Sequence, residues 1–323
     1  MQIFYKFLKK YRLFNEKMIF YMQFLKTRGN IFMFHVFILN EVSLRGQLKK
    51  ITSAIKSVCE NNKLKYRFLL TDNIENLKSE LEKIKSMDNT VLYAVGGDGT
   101  LQTLVNNVDL SNTILQYLPY GTGNNAYNTF YQQKFDLEQD ILSENIIEAD
   151  LGIANGEYFT GMVGLGIDGK SGNNLAKFKK LGVPGKAKYY SAILYTILTD
   201  ANPINVKMHF DGNTRIEKSS MISITNGPTI GGKTPINPKA NAFDGKLNAL
   251  IADDLSRLDF LRLMMKVDSG AHLQDPRVST IEFKKMLITS EEELLYQLDG
   301  EIRKTQQIDI NVCPKILKMK GKR

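Results

Sequence analysis

The chain has 323 residues, 43% of them hydrophobic and 24% charged, with a formal net charge of +9. That length supports two packed domains. Two cysteines, Cys59 and Cys313, exclude a disulfide framework, the absence of any CxxC or His/Cys cluster excludes a structural zinc site, and His35, His209 and His272 are too scattered to suggest a Ser/His/Asp arrangement.

Residues 1–32 carry seven basic residues against one acid, so they hold +6 of the +9. Aromatic and aliphatic residues interleave with those charges, and no apolar run reaches the ~18 residues of a spanning helix. Two readings stand: a basic amphipathic helix on anionic lipid, or an extension outside a natural fold that starts at Met33. Phe34 to Leu39 then reads as a buried strand, and Leu48, Ile51, Ile55 and Val58 recur at helical spacing. Tyr66, Phe68 and Leu70 alternate as a strand, and Ile74, Leu77, Leu81 and Ile84 form a second helical stripe. Thr90 to Val95 and Thr113 to Leu118 are strands flanking a helical stretch, Leu101 to Val108. Alternating strands and helices predict an α/β domain with a parallel sheet over 33–150.

Beyond Asp150 the pattern changes. Asn155-Gly156 and Asp211-Gly212 are hairpin dipeptides between alternating runs. Met221 to Thr225, Leu247 to Ile251 and Thr280 to Ile288 are strand candidates, interrupted by helical stretches at Tyr189 to Leu198 and Leu258 to Val267. This predicts a β-rich, sandwich-like domain over 151–310, closed by a basic tail, 311–323, with Lys315, Lys318, Lys320, Lys322 and Arg323.

Chemistry concentrates in two glycine loops. Gly96-Gly97-Asp98-Gly99-Thr100 follows an apolar strand and precedes a helix, the arrangement that brings backbone N–H groups onto phosphate. Asp98 would repel phosphate alone and makes sense with Mg2+ present. It is neither a Walker A loop nor a dinucleotide fingerprint, because Gly-Lys-Ser/Thr is missing and the glycine spacing differs. Pro119-Tyr120-Gly121-Thr122-Gly123-Asn124-Asn125 follows the next strand, and in a parallel sheet such loops share one edge.

The pair GGDGT and PxGTxN resembles the diacylglycerol kinase catalytic-domain family, which includes bacterial lipid kinases and the sphingosine and ceramide kinases. Thr71, the Phe159 to Asp168 stretch, the block from Gly231-Gly232 through Pro238, Ala240 and Asp244-Gly245 to Leu247, the Gly270, His272 and Pro276 segment, and Asp299-Gly300-Glu301 are similar to family motifs in the same order. The resemblance implies an ATP-dependent kinase that phosphorylates a lipid hydroxyl with Mg2+, with the active site in a cleft between the domains. It implies nucleotide contacts at Asn40, Thr71, Gly96, Gly97, Asp98, Gly99, Thr100, Leu101, Gln102, Gly121, Thr122 and Asn124. Asp98 would serve the Mg2+–phosphate network, and Asp244 a structural Mg2+ with carbonyl groups of Asn241 and Lys246. Glu301 would be the general base, and Asn125, Asp168 and Asp299 would lie near substrate. Asp299-Gly300 and Asp244-Gly245 are, taken alone, ordinary turn dipeptides.

Three stretches depart from the family pattern. Asn40-Glu41-Val42-Ser43-Leu44 loses the Pro and Gly of Asn-Pro-x-Ser-Gly, Asn125 stands where the family has Asp, and Thr103 stands where it has Glu. An NAD kinase also carries GGDGT and is the nearest enzyme alternative, a 6-phosphofructokinase is a weaker one, and a catalytically impaired family member that binds nucleotide or lipid is the third reading. Expected partners are a membrane lipid and an anionic membrane surface, with no nucleic acid. The expected location is cytoplasmic and peripheral, and oligomeric state, including a homodimer, is left open.

Overall fold

The computed structural model describes residues 33–44, 46–71, 74–84, 89–131, 133–183, 187–231 and 233–321. The expectations for residues 1–32, and for Lys322 and Arg323, lie outside them.

Four parallel strands open the described part of the chain: β1 (Phe34–Asn40), β2 (Lys65–Thr71), β3 (Thr90–Gly96) and β4 (Ile114–Pro119). They are ordered β2-β1-β3-β4. Their apolar runs are continuous because helices cover both faces. Phe37, Leu39, Tyr93 and Val95 meet Ile51, Ile55 and Cys59 of α2 (Leu48–Asn61), which follows the one-turn α1 (Glu41–Leu44). The alternate residues Val36, Ile38, Leu92 and Ala94 meet α3 (Ile74–Ile84) and α4 (Asp98–Val105). Register sets the carboxyl ends level: Asn40 is opposite Thr71, Leu39 opposite Val95, and Gly96 opposite Pro119. Two short helices, α5 (Asn125–Phe130) and α6 (Leu137–Leu142), complete this half.

The second half is antiparallel. Its strands are β5 (Ile146–Ala154), β6 (Glu157–Phe159), β7 (Met162–Gly166), β8 (Ile204–Phe210), β9 (Asn213–Thr225), β10 (Leu247–Asp253), β11 (Val278–Phe283), β12 (Lys285–Leu298) and β13 (Glu301–Lys320). Hairpins close at Asn155, Asp211 and Asp299, all with positive φ and all followed by glycine, as two-residue turns require. The inward residues of β5 to β13 form one core, including Phe159, Leu165, Ile224, Leu247, Phe283 and Leu298. Helices α7 (Ile167–Lys180), α8 (Ala187–Thr199) and α9 (Arg257–Met264) lie together outside it, α8 against both others. Among the described residues no helix is long and apolar enough to cross a membrane.

Several expectations change. The run Thr280 to Ile288 is two strands, because Asp211 accepts the N–H groups of Lys284 and Lys285 and turns the chain there. Helix α4 starts at Asp98 rather than Leu101, so the first glycine loop is only Gly96-Gly97 long. Helix α7 was not foreseen.

The segment 311–320 is no tail. Residues to Lys320 are the end of β13, paired with β5 along Lys320↔Ile146 and parallel to β4 at Lys318↔Ile114. Leu317 and Met319 are fully buried, and the Lys320 ammonium, itself buried, donates to the carbonyl of Ile141 at 2.8 Å. Burial holds the Lys320 pKa down to about 8 and that of nearby His35 to about 4. A high lysine count disguised a period-two strand. This strand joins the two sheets, so the division at 150/151 is a change of architecture rather than a break in the hydrogen-bond ladder.

Leu317→Ala will therefore lower unfolding stability by about 2–5 kcal/mol. In urea denaturation a shift below ~0.5 kcal/mol, the usual size for an exposed surface site, would return the segment to the status of a tail.

Candidate active site

The level strand ends bring Asn40, Thr71, Gly96 and Pro119 to one edge. Thr71 is buried there, its hydroxyl donating to the Leu39 carbonyl. Two glycine loops meet beside them. A Cβ on Gly121 would collide with the Cα of Gly97, so the two backbones touch because neither residue has a side chain. Asp98 locks the contact: its Oδ1 accepts the Ala126 N–H at 3.0 Å and the Tyr117 hydroxyl at 3.3 Å, so the first loop caps the helix of the second. Burial raises the Asp98 pKa, opposed by these donors. Its other oxygen faces Gly123, where a Cβ would come within 3.1 Å.

Asn124, in the left-handed region at φ 51°, spends its side chain on its own loop. Oδ1 accepts from Gly121 N–H and Tyr117 hydroxyl, and Nδ2 donates to Pro119 and Gly121 carbonyls. Leu101 is fully buried in the core. Gln102 points to the other domain, its amide donating to the Tyr158 carbonyl beside the amide of Asn106. Thr100 is buried, while Gly99 and Thr122 are exposed, and a Cβ at Gly99 would meet nothing within 4 Å. No side chain caps α4, whose N-cap is Gly97, so its first turn presents backbone to the open side. Asn125 is the first residue of α5. Of the expected string, Gly96, Gly97, Asp98, Gly99, Gly121 and Thr122 thus face or frame the edge, whereas the side chains of Leu101, Gln102 and Asn124 build the scaffold.

The Asp299-Gly300-Glu301 turn is wired to the same region. Asp299, at φ 47°, accepts from the backbone N–H groups of Thr160, Gly161 and Met162 at 2.7–2.9 Å and from the Thr160 hydroxyl at 3.1 Å. Burial nonetheless pushes its pKa up to about 6. Gln297 accepts the Gly300 N–H at 2.8 Å and donates to Asp168, which also accepts from Ser223. Burial raises the Asp168 pKa too. Asp168 and Asp299 therefore shape the turn. Glu301 stays exposed, 3.9 Å from Arg303, which also grips Glu157. A short path links α4 to the turn: Gln102 to Tyr158, then two residues along the chain to Thr160, then Asp299.

The third group lies apart in sequence and close to the β5–β13 junction. Asp244 accepts the Lys246 N–H at 3.0 Å, and the Lys246 ammonium pairs with Glu282. The Asn241 carbonyl accepts from Asp244 N–H. Burial, with Asp150 and Glu282 nearby, raises the Asp244 pKa, a local negative excess that suits a cation. Asp150 was missed by sequence reasoning. It is buried and accepts from Gly245 N–H at 2.6 Å and Lys315 N–H at 2.8 Å, so it holds the Asp244 turn to β13. Gln297 was missed as well, since a glutamine in an apolar strand has no motif. Among the described residues no three His, Cys, Asp or Glu side chains cluster as metal ligands. Surface depressions of 390 and 480 Å³ lie at the β8–β9 hairpin and outside β2, and include none of these residues.

Residues 35–154 match the family model "Diacylglycerol kinase catalytic domain", and residues 161–320 match "YegS C-terminal NAD kinase beta sandwich-like domain". The chain belongs to the diacylglycerol kinase catalytic-domain family. It is similar to a Staphylococcus aureus (strain bovine RF122) protein named "Putative lipid kinase", 28% identical over 286 residues that cover 84% of this chain and 90% of the relative. A protein of strain MRSA252 with the same kind of name is 27% identical over equal shares. Two solved structures from Bacillus anthracis share the fold. One titled a diacylglycerol kinase has a TM-score of 0.68 at 19% identity and covers 90% of this chain and 97% of its own. Another has a TM-score of 0.74 at 21% identity, with 90% and 95% covered. The family assignment makes the chain a kinase of the lipid kinase class.

Asp299→Asn, which presents an amide where at least one N–H now finds a carboxylate oxygen, will cost about 1–3 kcal/mol of stability. Glu301→Gln, exposed and outside that network, will stay within ~0.5 kcal/mol. Urea titrations of both variants check the contrast, and equal midpoints would refute the anchoring role of Asp299.

Proposed function

We propose that this kinase transfers the γ-phosphoryl group of ATP to a lipid hydroxyl, that of diacylglycerol, giving phosphatidic acid, or of a related lipid. The observation that carries the reading is the Asp98 lock: two glycine loops held together at a strand-end edge, with the Asp299-Gly300-Glu301 turn tied to the same helix through Tyr158. Backbone of Gly97, Gly99 and Gly121 supports phosphate binding, since side chains are absent and the start of α4 is open. Asp98 and the Asp244 loop suit Mg2+, which when bound would neutralise developing phosphate charge. Glu301, exposed at the turn, would take the proton of the lipid hydroxyl as its oxygen bonds to the γ-phosphorus and ADP leaves. Arg303, 3.9 Å away, would steady the carboxylate. Asp299 and Gln297 would hold the turn in position without touching substrate.

An NAD kinase reading is disfavoured by the Asp299-Gly300-Glu301 turn and by the second glycine loop. The impaired-member reading rests on Asn125 and Thr103, the latter donating its hydroxyl back to the Gly99 carbonyl.

Glu301→Gln should lower kcat/KM by about 10²–10⁴ while sparing ATP binding and melting temperature. Asp98→Asn should weaken Mg2+·ATP binding. Phosphoryl transfer measured side by side on diacylglycerol, phosphatidylglycerol, a long-chain sphingoid base and NAD tests the reading. Turnover of NAD alone, or near wild-type rates in Glu301→Gln, would overturn it.

Asn125→Asp adds a carboxylate at the start of α5, close to Asp98, and should raise activity or lower the Mg2+ requirement. A Mg2+ titration of initial rates checks this, and lost activity would mean that the loop is built around the amide.

A further inference from the structure

Helix α8 is apolar beyond the face that it buries. Ala192, Thr196 and Ile197 are buried against the rest of the domain. Tyr190, Leu194 and Leu198, at spacings of four, form a second stripe that points outward, with Leu194 45% and Leu198 56% exposed. Leu181, at the end of α7, extends it and is 75% exposed. A helix apolar all round is normally buried all round, so this outer stripe lacks a partner among the described residues.

Its charge says which partner. From Gly169 to Thr199 the sequence holds six lysines and no acid. The next acid, Asp200, is taken by Lys170 at 2.8 Å, so the stretch keeps an excess of lysine in its sequence, with Lys177, Lys180 and Lys188 among the described residues. Lys177 and Lys188 lie over the rings of Tyr195 and Tyr189, 4.9 and 5.3 Å from the centroids, so ammonium groups border the apolar surface. Leucine flanked by tyrosine and lysine is the composition of a surface that enters the headgroup region of an anionic bilayer. The net charge of residues 33–323, about +3, concealed this segment, because acids elsewhere cancel it.

The position fits a use. Helix α7 lies against the strand of the Asp299-Gly300-Glu301 turn: a Cβ at Gly172 would come within 2.8 Å of Ile302 and 3.3 Å of Gln297. Leu181 is about 14 Å further along α7, at 1.5 Å per residue. The exposed stripe therefore sits on the helical hairpin whose first helix packs against the strand that carries the proposed base.

We propose that the outer face of the α7–α8 hairpin docks the protein on an anionic lipid bilayer and so presents Glu301 to a lipid in that bilayer. The second clause rests on the lipid kinase reading, and the first does not. It places a docking surface on a helical hairpin in the β-rich domain, apart from residues 1–32, whose expected membrane contact lies outside the described residues.

The chain has no tryptophan, so Tyr190→Trp in the full chain is a local reporter. Ile216→Trp, on β9 and 77% exposed, is the control. On vesicles of phosphatidylcholine plus phosphatidylglycerol, the Tyr190→Trp emission should shift to the blue and be quenched by brominated acyl chains, while the control does not change. Salt, or omission of phosphatidylglycerol, should reverse the shift. The triple variant Leu181→Ser/Leu194→Ser/Leu198→Ser should sediment with these vesicles at least tenfold more weakly, with unchanged melting temperature. Vesicle binding without a change at Tyr190→Trp would assign docking to another surface and overturn the proposal. Unchanged vesicle binding by the triple variant, with loss of self-association in sedimentation velocity, would make the face a contact between copies and also overturn it. Turnover of a short-chain, water-dispersed diacylglycerol separates the two claims. If wild type docks through this face but phosphorylates no lipid, the docking surface stands and the kinase substrate reading falls.

Discussion

Asp98 is the residue on which the candidate site depends. Its carboxylate crosses from the first glycine loop to cap the helix of the second, and it can do so only because Gly97 and Gly121 let the two backbones touch. A methyl group at Gly121 would separate the loops and leave the Ala126 N–H unpaired. The four parallel strands supply the other half of the constraint, since their register ends Asn40, Thr71, Gly96 and Pro119 at one level. Part of the site's geometry is therefore a consequence of sheet alignment, with one half-buried carboxylate fixing the rest.

Polar anchors of the same kind hold the turns of the β-rich half. Asp150 receives N–H groups from the Asp244 turn and from β13, and Asp299 receives four donors from Thr160 to Met162. Buried carboxylates are costly unless their lone pairs are satisfied, and here backbone donors satisfy them. Such anchors hold turns at defined positions, which a hydrophobic contact of the same area would fix less sharply. Strand β13 adds a mechanical link, running from the Glu301 turn to the first sheet, where the Lys320 ammonium meets the Ile141 carbonyl.

The family and the order of the domains were legible because they rest on short motifs with local causes. A glycine loop after an apolar strand reads directly as backbone approach, and Asp-Gly after alternating residues reads as a hairpin. Individual roles were less legible. Asn124 and Gln102 stand inside motifs, and their amides turned out to be spent on Gly121 and Tyr158. Asp150 and Gln297 stand in no motif, yet each organises a turn. The lysines near the C-terminus looked like a solvated tail, whereas those beside α8 escaped notice in a charge total.

From the sequence alone came the α/β half followed by the β-rich half, the two glycine loops and the membership of a kinase family, because periodicity and turn chemistry act over a few residues. Only the tertiary structure decided which motif side chains face the open edge and which become scaffold, that β13 stitches the sheets together, and that α8 carries an uncovered apolar stripe. Those outcomes depend on which side of each element meets another element. That is set by contacts between residues far apart in the chain, and no local pattern records it.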